Sequence, residues 1–180
     1  MLRIYFSCFL LAGALLSTGA AAEDDLHMCI YENGDVSIEA CNRAINSGRY
    51  QGVDLANAYI NRAAELIAKK DYDRGISDSN TAIKLFPQST LAFTNRARAY
   101  QLKGDLKRAL ADFSTAISHD PENPSAYINR ASVRDQQGDR NGAIADLKRA
   151  VASKPKKGKF VNVDDDFKRA REYLARLSKP

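Results

Sequence analysis

Tyr59-Ile60-Asn61-Arg62-Ala63, Phe93-Thr94-Asn95-Arg96-Ala97 and Tyr127-Ile128-Asn129-Arg130-Ala131 are one motif written three times, with the numbering of each copy advanced by 34 from the last. The same offset relates Ala82, Ala116 and Ala150, and Pro87, Pro121 and Pro155, so the register holds from the start of each unit to its end. A sustained period of this length is the signature of stacked units, each too small to bury its own apolar face. Stacked architectures present long surfaces rather than enclosed pockets, which points to binding.

Within the middle unit, Phe93, Ala97 and Tyr100 share one helical stripe. After Gly104-Asp105, the residues Leu106, Ala109, Leu110, Phe113, Ala116 and Ile117 follow the spacing of a second amphipathic helix. Pro121 stops it and Pro124 opens the next. The first unit repeats the plan with Tyr59, Ala63 and Leu66, the turn Lys70-Asp71, then Tyr72, Ile76, Ala82 and Ile83. The third uses Tyr127 and Ala131, the turn Gly138-Asp139, then Ala143, Ile144, Leu147, Ala150 and Val151. Small residues face each other where paired helices should touch: Ala63 and Gly75, Ala97 and Ala109, Ala131 and Ala143. Larger side chains there would push the axes apart.

From Ala56 to Pro155 these residues resemble the tetratricopeptide repeat family, in its early aromatic, small helix contacts, Gly-Asp turn and closing proline. The resemblance implies an all-α, right-handed helical-repeat solenoid of three antiparallel hairpins with a concave groove. It also implies a protein-interaction module rather than an enzyme. The sequence departs from the pattern at Ala63, Ala97 and Ala131, where glycine is frequent, at Ser79, which stands for a bulky residue, and at Arg134 and Arg140, which stand for apolar ones.

The expected organisation is a signal peptide over 1–22, an N-terminal arm and half-repeat helix over 23–55, repeats over 56–89, 90–123 and 124–157, and a C-terminal capping helix over 158–180. The signal reading rests on Arg3, a mostly apolar run from Ile4 to Leu16, and Ala20 and Ala22 before a cut at Glu23. That run is too short to span a membrane, and neither Cys8 nor Cys29 sits where a lipidated cysteine belongs. A soluble exported bacterial protein, periplasmic or secreted, is expected. The half-repeat helix is read over Val36 to Ile45, with Gly48 as its stop. Asp164, Asp165 and Asp166 at the start and Arg171 and Arg176 toward the end suit the dipole of the capping helix. Phe167, Ala170, Tyr173, Leu174 and Leu177 form its apolar face.

Removal of the leader leaves Cys29 and Cys41. Compartment and parity favour a disulfide; two free thiols, with Cys41 filling the stripe of Ile38 and Ile45, are the alternative. The spacing is too wide for a CxxC redox centre, and no histidines lie near enough for a metal site, so no metal or cofactor is expected. The net charge of +5 is uneven: Lys148 to Pro180 carries eleven Lys and Arg against four acids, the rest of the mature chain fifteen against eighteen. Nucleic acid is therefore not an expected partner. The segment Lys154 to Lys159 offers at most a weak electrostatic contact with an anionic surface.

Opposite the core stripe, the first helix of each unit carries a short and mostly neutral polar face. It comprises Asn57, Asn61, Ala64 and Ala68, then Leu91, Asn95, Arg98 and Leu102, then Ser125, Asn129, Ser132 and Gln136. In the resembling family this face lines the groove. Asn61, Asn95 and Asn129 read as a ladder of amides able to hold the backbone of an extended ligand, with Ile60, Ile128 and Leu102 giving apolar contact. The alternative is that each asparagine satisfies a backbone group of an adjacent repeat. Arg62, Arg96 and Arg130 precede Asp78, Asp112 and Asp146 by one constant spacing across a hairpin, and read as structural ion pairs. Some family members clamp carboxylates on this face. Asn95 matches one clamp place, but Ile60, Ala64, Ser125 and Asn129 occupy the others, leaving Arg98 as the anion contact. His27 and His119 belong to no nucleophile motif, so catalysis is not expected. The sequence reading is a non-enzymatic adaptor that binds a peptide or protein segment in the groove. A structural envelope subunit, its groove filled by its own N-terminal arm, is the alternative.

Overall fold

A computed structural model describes residues 18–154 and 163–179, and its helices follow the period of the sequence. In chain order they are α1 (Thr18–Tyr31), α2 (Gly34–Asn46), α3 (Gly52–Ala68), α4 (Tyr72–Leu85), α5 (Thr90–Leu102), α6 (Leu106–His119), α7 (Pro124–Gln136), α8 (Arg140–Ala152) and α9 (Val163–Leu177). No strand occurs among the described residues. Residues 1–17 of the expected 1–22 leader, and 155–162 with most of the basic segment Lys154 to Lys159, lie outside them, while leader residues 18–22 fall in α1.

Each turn inside a hairpin is built by one device used three times. The amides of Asp71, Asp105 and Asp139 reach back to the carbonyls of Leu66, Tyr100 and Arg134, each at 2.9 Å, closing the first helix of the pair. The same aspartates cap the second helix, their carboxylates accepting from the amides of Arg74, Arg108 and Gly142. The residue before each aspartate must adopt positive φ. Gly104 and Gly138 do so at 82° and 80°, whereas Lys70 does so at 66° with a side chain in place.

Successive helices pack against one another along the whole chain. The odd-numbered helices also touch the next odd one, from α1·α3 to α7·α9, while no two even-numbered helices meet among the described residues. Odd helices closer together than even ones make the stack curve, with the odd helices on its concave side. The result is an all-α helical-repeat solenoid. Within the hairpins, Ala63, Ala97, Ala109, Ala131 and Ala143 are fully buried at the close contacts. Gly75 gives the tightest of these: a Cβ there would lie 2.6 Å from Cγ1 of Ile67. Ile67 and Ser79 are both buried, and the Ser79 hydroxyl donates to the Gly75 carbonyl at 2.8 Å.

The N-terminal unit departs from the expected half-repeat. Residues Thr18–Tyr31 form a helix rather than an arm, and α1 and α2 make a fourth hairpin. Cys29 and Cys41 lie one repeat period upstream of Ala63 and Gly75, so the two cysteines occupy the close-contact place that Ala and Gly hold in later units. Their sulfurs stand at bonding distance, with the Cα atoms 4.7 Å apart. At the other end, Ala170 and Leu177 of α9, with Tyr173 and Leu174, join Tyr127, Ile128, Ala131, Leu147 and Ala150 in one cluster. This helix covers the side of the third repeat that would otherwise be open.

Candidate functional site: the concave face

Rigid ties hold the wall of the groove. Arg62 Nε and Nη2 donate to the two carboxylate oxygens of Asp78 at 2.7 and 2.8 Å. Arg96 pairs with Asp112 at 2.7 and 2.7 Å, and Arg130 with Asp146 at 2.9 and 2.7 Å. Each arginine then sends Nη1 to the outer helix of the preceding hairpin: to Asn42 at 2.7 Å, Asn80 at 2.6 Å and Ser114 at 3.1 Å. One side chain thus bonds three helices, and its guanidinium also lies over Tyr59, Phe93 or Tyr127, 5.3, 5.3 and 5.8 Å from the ring centre. Hydrogen bonding to Asp78 and Asp112 raises the pKa of Arg62 and Arg96 above the ordinary arginine value, against the opposing effect of burial. These arginines face the packing, so they are not groove contacts.

The asparagines do not form a uniform ladder. Asn95 donates to the Ile60 carbonyl of the neighbouring repeat at 3.0 Å, and Asn61 donates to Asn57 within its own helix at 2.8 Å. Asn129 keeps its amide free of hydrogen bonds among the described residues and lines a cleft of about 480 Å³ with Ile128, Ser132, Arg169, Glu172, Tyr173 and Arg176. Ile60 and Ile128 offer little of the apolar surface expected of them: they are 5% and 3% exposed, and of the two Ile128 lines the cleft. Ile60 turns into the joint with Ala82 and Ala92, and Ile128 into the core under α9. Ser125 is also taken, its hydroxyl donating to Asp166 of α9.

On α5 the groove face is open along one stripe. Leu91 and Leu102 are 61% and 49% exposed, and between them Arg98 is exposed and makes no ion pair among the described residues. At the C-terminal end of the face, Tyr173 donates to Asp135 at 2.8 Å, and Arg176 reaches the same carboxylate at 3.1 Å. Burial first, and then the bond to Asp135, push the Tyr173 hydroxyl up to about 12. His27 stacks on Tyr31 with centroids 4.5 Å apart, and His119 packs edge-on against Phe93 at 5.4 Å. No group of three His, Cys, Asp or Glu among the described residues is arranged to hold a metal, and no described helix is long and apolar enough to cross a membrane.

Two features escaped the sequence reading. Ala58, Ala92 and Ala126 are another set in phase with the repeat, and all three are buried. Ala58 packs on Ala40 and Ala44, and Ala92 beside Ile60 and Ala82, so they set the spacing between hairpins as Ala63 and its partners do within them. The second is α1, whose His27 lies one repeat period before Asn61. Extending the period upstream through Cys29 and Cys41 would have found it.

Curvature, inner helices and the repeated ties define a helical-repeat solenoid. The tetratricopeptide repeat model matches residues 60–124 and 94–157, more than half of the chain, and the protein belongs to the tetratricopeptide repeat family. No protein of curated function matches the sequence. Among solved structures, the first such domain of Spaghetti (RPAP3) bound to an HSP90 peptide is similar, with TM-score 0.55 and 19% identity over 71% of this chain and 99% of that one. The second such domain of human RPAP3, in complex with an HSP70 peptide, gives 0.57 and 22% over 68% and 93%. YrrB, described as having an unusual peptide-binding site, gives 0.60 and 16% over 78% and 65%. At these identities the likeness is one of fold.

Proposed function

We propose that this protein is a non-enzymatic adaptor that holds a segment of another polypeptide on its concave face. The observation that carries the reading is the α5 stripe, where Leu91 and Leu102 are exposed on the inner wall on either side of Arg98. The two leucines are separate apolar contacts on one face of α5, with a cation between them, and what they offer is a spaced pattern for a ligand to match. Three helical turns separate the two leucines, about 16 Å along the helix axis. A segment with two apolar side chains at that separation and a carboxylate between them complements the stripe. Asn129 adds a free amide further along the concave face, in the cleft between α7 and α9. The Arg62, Arg96 and Arg130 ties support the reading, because a wall fixed in advance loses little conformational freedom on binding. The relatives in complex with HSP90 and HSP70 peptides support it by analogy of fold.

The reading of a groove filled by its own N-terminal arm loses its motive: residues 18–31 stack as the next inner helix, with Leu26 and Met28 against α2 and Ala58. Export belongs to the same proposal, since Cys29 and Cys41 suit a disulfide-permitting compartment; a processed chain recovered from the periplasm or medium should begin at Glu23. Partners pulled down by the mature protein are to be purified and their affinity measured against the Leu91→Ala/Arg98→Ala/Leu102→Ala variant. At least tenfold weaker binding is expected. Unchanged affinity in a folded variant sinks the groove assignment.

A further inference from the structure

We infer that the Cys29–Cys41 bond is the clasp of the N-terminal hairpin, so that the solenoid has four hairpins when these cysteines are oxidised and only the later three when they are reduced. The inference stands apart from the groove reading.

Later units fasten inner helix to outer helix by an arginine and an aspartate. At the equivalent places, one repeat period before Arg62 and Asp78, the first hairpin has Met28 and Ala44, so the ionic tie is missing there. Among the described residues the first hairpin packs on one neighbouring hairpin, where the later ones pack on elements at both ends. Its buried cluster consists of Cys29, Ala40, Cys41, Ala44 and Ala58, with Leu26, Met28, Ile45 and Tyr50 partly covered. No bulky aromatic or leucine is sealed inside it, in contrast to Phe113 and Leu147 of the second and third repeats. Non-covalent links between α1 and α2 include the ion pair Arg43–Asp25, whose arginine is half exposed, and the bond from the Ser37 hydroxyl to the Cys29 carbonyl. Exposed pairs of that kind contribute little. A thin core, an absent arginine tie and a covalent bond at the close-contact place together assign the holding role to the cysteines.

Burial governs how the clasp opens. Cys29 and Cys41 are 1% and 0% exposed, so a thiolate cannot reach either sulfur in the closed hairpin. Reduction by an external dithiol must follow separation of α1 from α2. One thiolate of the dithiol attacks a protein sulfur, the mixed disulfide resolves through the second thiol, and the dithiol leaves as a cyclic disulfide. Two electrons and two protons end on Cys29 and Cys41 as thiols. In the reduced chain α1 no longer presents His27 and Tyr31 as the first stretch of the inner wall.

The test compares amide hydrogen exchange in the oxidised protein, the protein reduced with dithiothreitol, and Cys29→Ala/Cys41→Ala, which installs the alanine pair of the later repeats. Closing a loop of this length shifts the folding equilibrium roughly a hundredfold. Amides of α1 and α2 should therefore exchange about a hundredfold faster in both uncrosslinked forms, while α5 to α8 keep their protection. Equal protection of α1 and α2 in all three forms overturns the inference. So does loss of α5 to α8 together with α1 and α2, which would make the bond a support of the whole fold. Two free thiols titrated in the fully folded protein after oxidative refolding would overturn it as well.

Discussion

Replacing either partner of the Arg96–Asp112 tie should destabilise the protein far more than a surface ion pair does. Asp112 is 7% exposed, and its two oxygens accept from Arg96 Nε and Nη2 at 2.7 Å each, while Nη1 holds Asn80 of the previous hairpin. Exposed pairs are worth about 0–1 kcal/mol, whereas removing one partner of a buried pair strands the other and costs about 3–5 kcal/mol. The Arg96 side chain keeps 21% of its surface in water, which places the expected loss at the lower end, about 3 kcal/mol for Asp112→Ala or Arg96→Ala. Arg96→Lys keeps the charge but not the fork that spans three helices, and should lose about 1.5 kcal/mol. Because the second substitution removes a charge already stranded by the first, the double variant should fall short of the sum by about 2 kcal/mol. Urea midpoints at constant m-value, followed by circular dichroism, measure all four proteins. Single losses under about 0.5 kcal/mol, or strict additivity, would refute the claim that the arginine joins the hairpins.

Other consequences are as direct. Lys70→Gly places glycine at the positive-φ position where Gly104 and Gly138 stand, and should stabilise the first repeat by about 1 kcal/mol, read as a raised thermal midpoint. Gly75→Ala drives a methyl into Ile67; the strain, partly offset by better helix propensity, should leave a net loss of about 1 kcal/mol that vanishes when Gly75→Ala is introduced into an Ile67→Ala background and compared with Ile67→Ala alone. Tyr173 has its folded pKa raised to about 12 from an ordinary value of 10. The unfolded chain ionises first, so the contribution of Tyr173 is complete below pH 10 and fades as pH rises toward 12. Over that window the stability advantage over Tyr173→Phe should shrink, and the tyrosinate absorbance of the parent should show one late-titrating phenol; its absence would contradict the packing of α9.

Much of this architecture could be read from the period alone. A repeat of 34 fixes which residues are equivalent, so the hairpins, their turns and the Arg–Asp partnerships followed from spacing. The choice between binding and bonding for Asn61 and Asn95 did not, because an amide one turn from a neighbouring carbonyl and an amide facing a ligand have the same spacing. Ile60 and Ile128 misled for a related reason: each adjoins a groove residue in sequence, yet one helical step rotates the side chain by about 100° into the joint between units. The N-terminal hairpin was hidden because the early aromatic and the arginine have gone from it and its turn glycine, Gly34, falls out of register, leaving Cys29 and Cys41 as the in-phase mark of its close contact.

The central claim is that the inner wall, at its α5 stripe, is where another polypeptide lies. A photoreactive benzophenone side chain can be placed at Leu102 on that wall or at Ala111, exposed on the outer helix α6, and irradiated with the purified partner. Cross-linking from Leu102 to one defined peptide of the partner, with none from Ala111, is the predicted result. Equal cross-linking from both positions, or cross-linking from Ala111 alone, would contradict it.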